Sequence, residues 1–298
     1  VRDDTTTSTL AGRPVARVGF GAMQLAEGFG RPKISRESAL AILRAAVEQG
    51  VNHIDTADFY GTIAENANDL IRVALHPYAD DLLLVSKVGA ERTADGTLIA
   101  AQRPEQLRAA VEANLSRLGA ERLAVVNLRR LDMPPGIPAD GDQRVDIDTQ
   151  LAELAALRDE GKIEGIGLSN VDADQLRHAL PAGIECVQNW YSLIDRTHEP
   201  VLDACREHDV AWVPFCPLGS AFPDRPKVVD QPAVRAVAGR LGATPAQVGL
   251  AWLLAAYPRT LLIAGTANPV HLAENVAAGR IELDADDLAE LAGVAVAP

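Results

Sequence analysis

Hydrophobic and polar positions follow one repeated beat along this chain. A short apolar run is followed by a polar loop, then by a longer stretch with apolar residues three and four apart. The short runs predict strands at 51–55, 82–87, 123–128, 163–168, 184–188, 211–215 and 261–264, with a further apolar run near Gly19. The longer stretches predict helices at 35–49, 65–75, 104–118, 148–160, 172–180, 199–208, 244–256 and 270–278, and another over 284–291. Helix punctuation agrees: Thr244 is an N-cap with Pro245 at the first helical position, and Gly161 closes the helix carrying Arg158, Asp159 and Glu160.

Eight such strand-plus-helix units recur at a spacing of roughly 25–40 residues, the length of a βα unit. Even spacing without a break in composition predicts one α/β domain over 1–298, a parallel (β/α)₈ TIM barrel. Ahead of it, residues 7–20 alternate around Gly12, Arg13 and Pro14 and predict an N-terminal β-hairpin cap. A doubly wound open sheet is the alternative, but no GxGxxG follows the first strand. Loops 89–103, 131–144 and 219–231 are rich in Gly, Pro and Asp and follow strands, which on a barrel places them at the functional face.

Composition narrows the classes further. With 48% hydrophobic and 23% charged residues the chain can bury a sizeable core. A net charge of −13 argues against nucleic-acid or anionic membrane partners. No apolar run approaches the roughly 18–20 residues of a membrane span, and the first residues lack the apolar core of a secretion signal. A cytoplasmic location is expected. Cys186, Cys205 and Cys216 form no CxxC and suggest neither a disulfide framework nor a metal site.

The chemistry gathers at 51–61. Asp55 ends a strand, and Tyr60 follows five residues on, before Gly61. Lys87 ends the apolar run LLLVSK, where an unpaired ammonium would be costly. Adjacent barrel strands make Asp55 its natural partner. A lysine ammonium beside the Tyr60 phenol favours the phenolate, which suits a proton donor working near neutral pH. Spacing alone also accommodates a purely structural Asp55–Lys87 ion pair.

HIDTADFYG (53–61) and VSKVG (85–89) together resemble the signature of the aldo/keto reductases, (β/α)₈ barrels that reduce carbonyls with a nicotinamide cofactor. The likeness continues through GLSN (167–170), VQNWY (187–191), VPFCPLG (213–219) and GTANPVHLAEN (265–275), in family order. It implies a catalytic set of Asp55, Tyr60 and Lys87, and NADP as cofactor, with NAD possible. The cofactor residues it implies begin with Gly21, Met23 and Asp55 on the early strand ends. Ser169, Asn170 and Gln188 would meet the carboxamide, and Phe215 would stack on the ring, although an ordinary core aromatic fits Phe215 equally. Cys216, Pro217, Leu218 and Ser220 would meet the pyrophosphate. Gly265, Thr266, His271, Glu274 and Asn275 would meet the adenosine and its 2′-phosphate.

Two positions depart from the pattern. In RLAVVNLRRLD (122–132), Arg129 stands where the family's catalytic His is expected. Asn127 and Arg129 share a strand face, so Arg129 points either into the site or into the Asp132 loop; in the site it is a fourth catalytic residue that donates hydrogen bonds but relays no proton. His271 stands where an Arg often meets the 2′-phosphate. With these departures the chain resembles the bacterial subgroup that includes pyridoxal reductases, which implies an aromatic aldehyde such as pyridoxal as substrate. Met23, Phe59, Asn127, Arg130, Trp190 and Phe222 are candidate substrate residues. The expected partner is thus a small carbonyl compound, with no nucleic acid and no membrane. A broad-specificity aldehyde-detoxifying reductase and a cofactor-sensing regulatory subunit are the alternatives.

Overall fold

The computed structural model describes residues 6–27, 34–62, 65–134, 137–219 and 226–296. An antiparallel hairpin, β1 (Thr7–Leu10) with β2 (Arg13–Ala16), turns at Ala11 and Gly12, both at positive φ. The barrel then alternates: β3 (Phe20–Gly21), α1 (Arg36–Glu48), β4 (His53–Asp55), α2 (Ala67–Leu75), β5 (Leu83–Val88). A second hairpin, β6 (Ala90–Arg92) with β7 (Leu98–Ala100), leads into α3 (Pro104–Leu118) and β8 (Leu123–Arg129). There follow α4 (Ile147–Asp159), β9 (Ile163–Ser169), α5 (Ala173–Ala179), β10 (Ile184–Gln188), α6 (Glu199–Glu207) and β11 (Ala211–Trp212). Four helices end the chain: α7 (Pro232–Leu241), α8 (Pro245–Ala256), α9 (Pro269–Ala278) and α10 (Ala285–Ala292).

Seven strands form one parallel sheet in the order β3-β4-β5-β8-β9-β10-β11. Residues 260–262 close it into a ring. Thr260 bridges Trp212 and Leu262 bridges Val18, both parallel. Leu262 N–H donates to Arg17 O, and Gly19 N–H to Leu262 O, each at 2.8 Å. The architecture is therefore the (β/α)₈ barrel. First and last strands approach closely because Gly21 and Gly265 carry no side chains. A Cβ at Gly21 would stand 2.4 Å from Ile263 O, and one at Gly265 would stand 2.2 Å from Gly21 O.

Apolar side chains fill two layers about the sheet, beside a third cluster where Val234, Val248 and Leu291 of α7, α8 and α10 meet. The larger packs the outer sheet face against the helices, with Ile54, Leu84, Val126, Ile166 and Val187 meeting Leu43, Leu70, Leu107 and Leu154. The smaller fills the lumen: Leu83, Val85, Val125, Cys186, Ala211, Val213 and Leu261, closed from below by Leu10 and Val15 of the first hairpin. Asn52, just before β4, fastens that hairpin by accepting from Ala16 N–H at 2.8 Å and donating to Pro14 O at 3.1 Å. The N-terminal hairpin is thus a plug at the barrel's lower end.

Two elements were hidden in expected loops or linking sequence. The stretch 89–103 holds the β6–β7 hairpin, turning at Gly96 with φ 85°. The α7 helix starts with Pro232 and ends at Gly242, left-handed at φ 63°, the same punctuation that marked the other helices. The strand expected over 211–215 pairs regularly only at Ala211–Trp212; Phe215 makes a separate bridge to Trp190.

Candidate active site

The β4–β5 pairing sets Asp55 opposite Val85, and Lys87, two residues on, shares the Val85 face. The Lys87 ammonium donates to Asp55 Oδ1 in a short contact and to Thr56 O at 3.3 Å. Asp55 Oδ2 accepts from Gln188 Nε2 at 2.7 Å. Both charged side chains are buried, which is tolerable because each has several partners. The Lys87 Nζ lies 5.0 Å from the Tyr60 ring centroid and donates to its phenol oxygen. Burial works against the ammonium, but Asp55 and then Tyr60 outweigh it and raise the Lys87 pKa. Lys87 is therefore a cation at any working pH.

Local turns hold Tyr60. Its N–H donates to Ala57 O at 3.0 Å, and its carbonyl accepts from Ala67 N–H at 2.9 Å at the start of α2. Phe59 packs edge-on at 5.3 Å, and Arg92 of β6 reaches over to donate to Phe59 O at 2.9 Å. Behind the sheet lies a buried polar network that sequence reading missed. Thr56 Oγ1 donates to Asn68 Oδ1 at 2.7 Å, while Asn68 Nδ2 and Ser86 Oγ donate to Asn114 Oδ1 at 2.8 and 2.5 Å. It ties together the residues adjoining Asp55 and Lys87. The available signal was Asn114 itself, a polar side chain on the apolar stripe of Leu107, Val111 and Leu118 in α3.

Arg129 ends β8 opposite Ser169. Its Nη1 donates to Ser169 Oγ at 3.4 Å, and its guanidinium carbon lies 5.6 Å from the Phe215 centroid. Burial lowers its pKa, while Tyr60 and Cys216 nearby favour the charge. Of the two orientations open to it, Arg129 takes the one facing the site. Arg130 takes the other: it grips Asp132 Oδ2 at 2.8 and 2.6 Å, Val145 O at 2.9 Å and, more closely, Gln150 Oε1.

These bonds remove Arg130 from the candidate pocket and make it scaffold. Gln150 in turn donates to Gln102 O at 2.7 Å, and Gln102 Nε2 donates to Gly89 O and Arg129 O at 2.6 and 2.8 Å. This clamp joins the ends of the Lys87 and Arg129 strands, and nothing in the spacing announced it. Asn127 also leaves the pocket. It shares Arg129's face but is short, and its amide meets Ser86 O and the Cys186 thiol inside the lumen, each at 3.4 Å. Gly167 makes room for it, since a Cβ there would sit 2.1 Å from Asn127 Oδ1.

The remaining candidates gather around the same mouth. Trp190 meets Phe215 edge-on at 6.0 Å, and the left-handed Cys216 (φ 55°) turns the chain toward Pro217 and Leu218. Asn170, also left-handed at φ 58°, donates to Arg130 O and Met133 O at 3.1 and 2.8 Å. Its Oδ1 and the Oε1 of Gln188 are buried acceptors without partners. The two residues are joined through Asn170 N–H and Gln188 O at 3.0 Å. Met23 is partly buried in the turn Ala22–Leu25 after β3. At the start of α9, Asn268 caps Val270 N–H at 2.9 Å and donates to Thr266 Oγ1 at 3.0 Å; Thr266 and Asn275 are buried, His271 is exposed. Ser220 and Phe222 lie outside the described residues.

A separate side cleft of about 460 Å³ lies between Tyr191, Trp252, Arg196, Glu199 and Arg206. Its polar groups serve one another: Tyr191 OH donates to Glu199, Arg206 pairs with Glu199 at 3.5 Å, and Arg196 lies over Trp252 at 4.9 Å. Asp55, Tyr60 and Lys87 meet at the strand ends, not there.

Comparison with known proteins places this geometry. A family profile described as "Aldo/keto reductase family" matches residues 17–295. The pyridoxine 4-dehydrogenase of Escherichia coli strain K12 is 43% identical over 291 residues, 97% of this chain and 98% of the relative. An uncharacterised oxidoreductase of Schizosaccharomyces pombe is 34% identical over 281 residues, covering 93% and 86%. The crystal structure of an aldo-keto reductase from Klebsiella pneumoniae in complex with NADPH superposes with a TM-score of 0.79 at 26% identity, covering 96% of this chain and 93% of that one.

Proposed function

This chain belongs to the aldo/keto reductase family, and on that premise we propose that it is an NADP-dependent reductase of aromatic aldehydes such as pyridoxal, with Tyr60 as the general acid. The observation that carries this reading is the buried Asp55–Lys87 pair set against the Tyr60 ring at a barrel strand end. A structural ion pair would not need a phenol delivered to it by a separate turn.

The residues present suit a nicotinamide cofactor. Asn170 Oδ1 and Gln188 Oε1 are buried acceptors awaiting donors, as a carboxamide N–H₂ would supply. Phe215 offers a ring for stacking, and Ser169 lies beside them. The turn at Cys216, Pro217 and Leu218 would take the pyrophosphate, and Thr266, His271, Glu274 and Asn275 the adenosine end. Gly21 and Gly265 contribute indirectly, by closing the barrel there. A bound reduced nicotinamide supplies the hydride.

The protein's part is proton delivery and electrostatics. Tyr60 O–H protonates the carbonyl oxygen as it gains negative charge. The Lys87 ammonium, fixed by Asp55, stabilises the phenolate left behind. Arg129 adds a permanent positive charge near that oxygen. Trp190, Phe59 and Met23 would form apolar walls for the substrate ring.

The test is Tyr60→Phe. Reduction of an aldehyde panel is expected to fall by about 10²–10⁴-fold, while NADPH binding, followed by fluorescence titration, stays near wild type. Full turnover in the variant would refute Tyr60 as the acid. A wild type that binds NADPH and turns over no aldehyde would instead favour the cofactor-sensing alternative.

A further inference from the structure

We infer that Arg129 reads a hydroxyl ortho to the reacting carbonyl, so that the site selects 2-hydroxyaryl aldehydes among aromatic aldehydes. The inference rests on the reductase reading above and narrows its substrate class.

A histidine at this strand end would present one ring N–H to the substrate oxygen. Arginine presents a planar fork of N–H groups that matches two acceptors side by side. The Arg129 fork is anchored rather than free to wander: Nη1 reaches Ser169 Oγ at 3.4 Å, and the guanidinium carbon lies 5.6 Å from the Phe215 ring. The main chain beneath it is clamped by Gln102, whose Nε2 donates to Arg129 O at 2.8 Å and to Gly89 O at 2.6 Å. A guanidinium held this way at the end of β8, beside Ser169 and Phe215, would share the substrate's oxygen-bearing edge with the proton donor.

An aromatic aldehyde with an ortho hydroxyl carries two oxygens on one edge, disposed much as in a carboxylate. One would meet both Tyr60 and Arg129, and the other only Arg129. Pyridoxal has this arrangement, with its ring hydroxyl beside the aldehyde. An ionised ortho oxygen would bind better still, because the Arg129 charge does not titrate away at working pH. Para isomers place the same oxygen across the ring, beyond the reach of the fork. The buried Arg130 cannot substitute, since Asp132, Val145 and Gln150 engage it.

The experiment measures kcat/KM with NADPH for benzaldehyde and its 2-hydroxy, 4-hydroxy and 2-methoxy derivatives. Wild type, Arg129→Lys and Arg129→Met are compared, with melting temperature and NADPH affinity recorded for each. Wild type is expected to prefer the 2-hydroxy over the 4-hydroxy compound by about 10–100-fold, the scale of a hydrogen bond to a charged group. The 2-methoxy compound, which keeps an acceptor oxygen but cannot ionise, should fall between the 2-hydroxy compound and benzaldehyde. Intrinsic reactivity of the aldehydes cancels when the 2-hydroxy to 4-hydroxy ratio is compared between proteins. That ratio should collapse in Arg129→Lys, which keeps the charge but loses the fork, and in Arg129→Met. An equal ratio in wild type and Arg129→Lys overturns the inference, and so does a wild type that reduces all four aldehydes alike. Both results leave the reductase reading standing. Failure of every aldehyde with NADPH bound would sink that reading itself. If Arg129→Met does not fold, wild type and the lysine variant still decide.

Discussion

At the scale of single residues, the site separates groups that titrate from groups that do not. Lys87 has its pKa raised by Asp55 and Tyr60 against the cost of burial. The stability it contributes is therefore complete below its unfolded pKa and is lost only as strongly alkaline pH passes the folded value. Arg129 likewise keeps its charge across the working range, so turnover should show no limb arising at residue 129. Arg129→His is expected to introduce one near pH 6.5, the ordinary histidine value, visible in kcat against pH with Tyr60 intact.

His53, two residues before Asp55, titrates in the opposite sense from Lys87. It is wholly buried beneath Gly19, and burial lowers its pKa to about 4. Between pH 6.5 and 4 the unfolded chain takes up a proton that the native state refuses. Stability should thus fall with pH through this window, by about 3 kcal/mol once pH 4 is passed. Urea titrations at stepped pH check this. In His53→Asn the level of stability will drop, but its slope across the window should flatten; an unchanged slope would acquit His53.

At the scale of elements, strand ends are held in register by polar tethers from outside the barrel as well as by pairing. Asn114 on α3 accepts from both Asn68 and Ser86. Asn114→Ala would leave two buried donors unmet, at about 1–3 kcal/mol each. We expect a lower urea midpoint together with reduced turnover, because Ser86 adjoins Lys87. Asn114→Asp, which keeps the acceptor, should restore more of the turnover than of the stability. Loss of stability with turnover intact would mean that the network carries no positional information.

This element level also marks where sequence reading stops. Helix 104–118 was read to the residue, since Pro104 opens it and Gly119, left-handed at φ 64°, closes it. The meeting of Asp55, Tyr60 and Lys87 was legible because each sits in a short motif at or just after a strand end. The Gln102–Gln150–Arg130 clamp was not, because its members come from separate elements and meet only once the barrel has closed. Arg130 and Asn127 were misplaced for related reasons. Alternation fixes a side chain's face, but length and local partners decide how far it reaches.

At the scale of the whole molecule, the candidate site and the N-terminal plug sit at opposite ends of the barrel, so the proposed chemistry is separate from the packing that seals the lumen. Tyr60, Lys87, Arg129 and Gln188 lie at the strand C-terminal ends, whereas Leu10 and Val15 seal the lumen from the other side. Leu10 is 2% exposed and packs into the same lumen cluster as Leu83 and Leu261. Truncating it opens a cavity against the strand starts, and burial losses of this kind cost about 2–5 kcal/mol. Leu10→Ala is therefore expected to melt earlier and unfold at lower urea, while kcat and KM measured well below the melting range stay at wild-type values. Tyr60→Phe should do the reverse, keeping the melting temperature and losing turnover. The two profiles, taken together, test whether the ends act independently. If Leu10→Ala lowered kcat without populating unfolded protein, the plug would be transmitting its packing up the lumen to Asp55 and Lys87. The layer of Val85, Val125 and Cys186 between them would then be a coupling element rather than a floor.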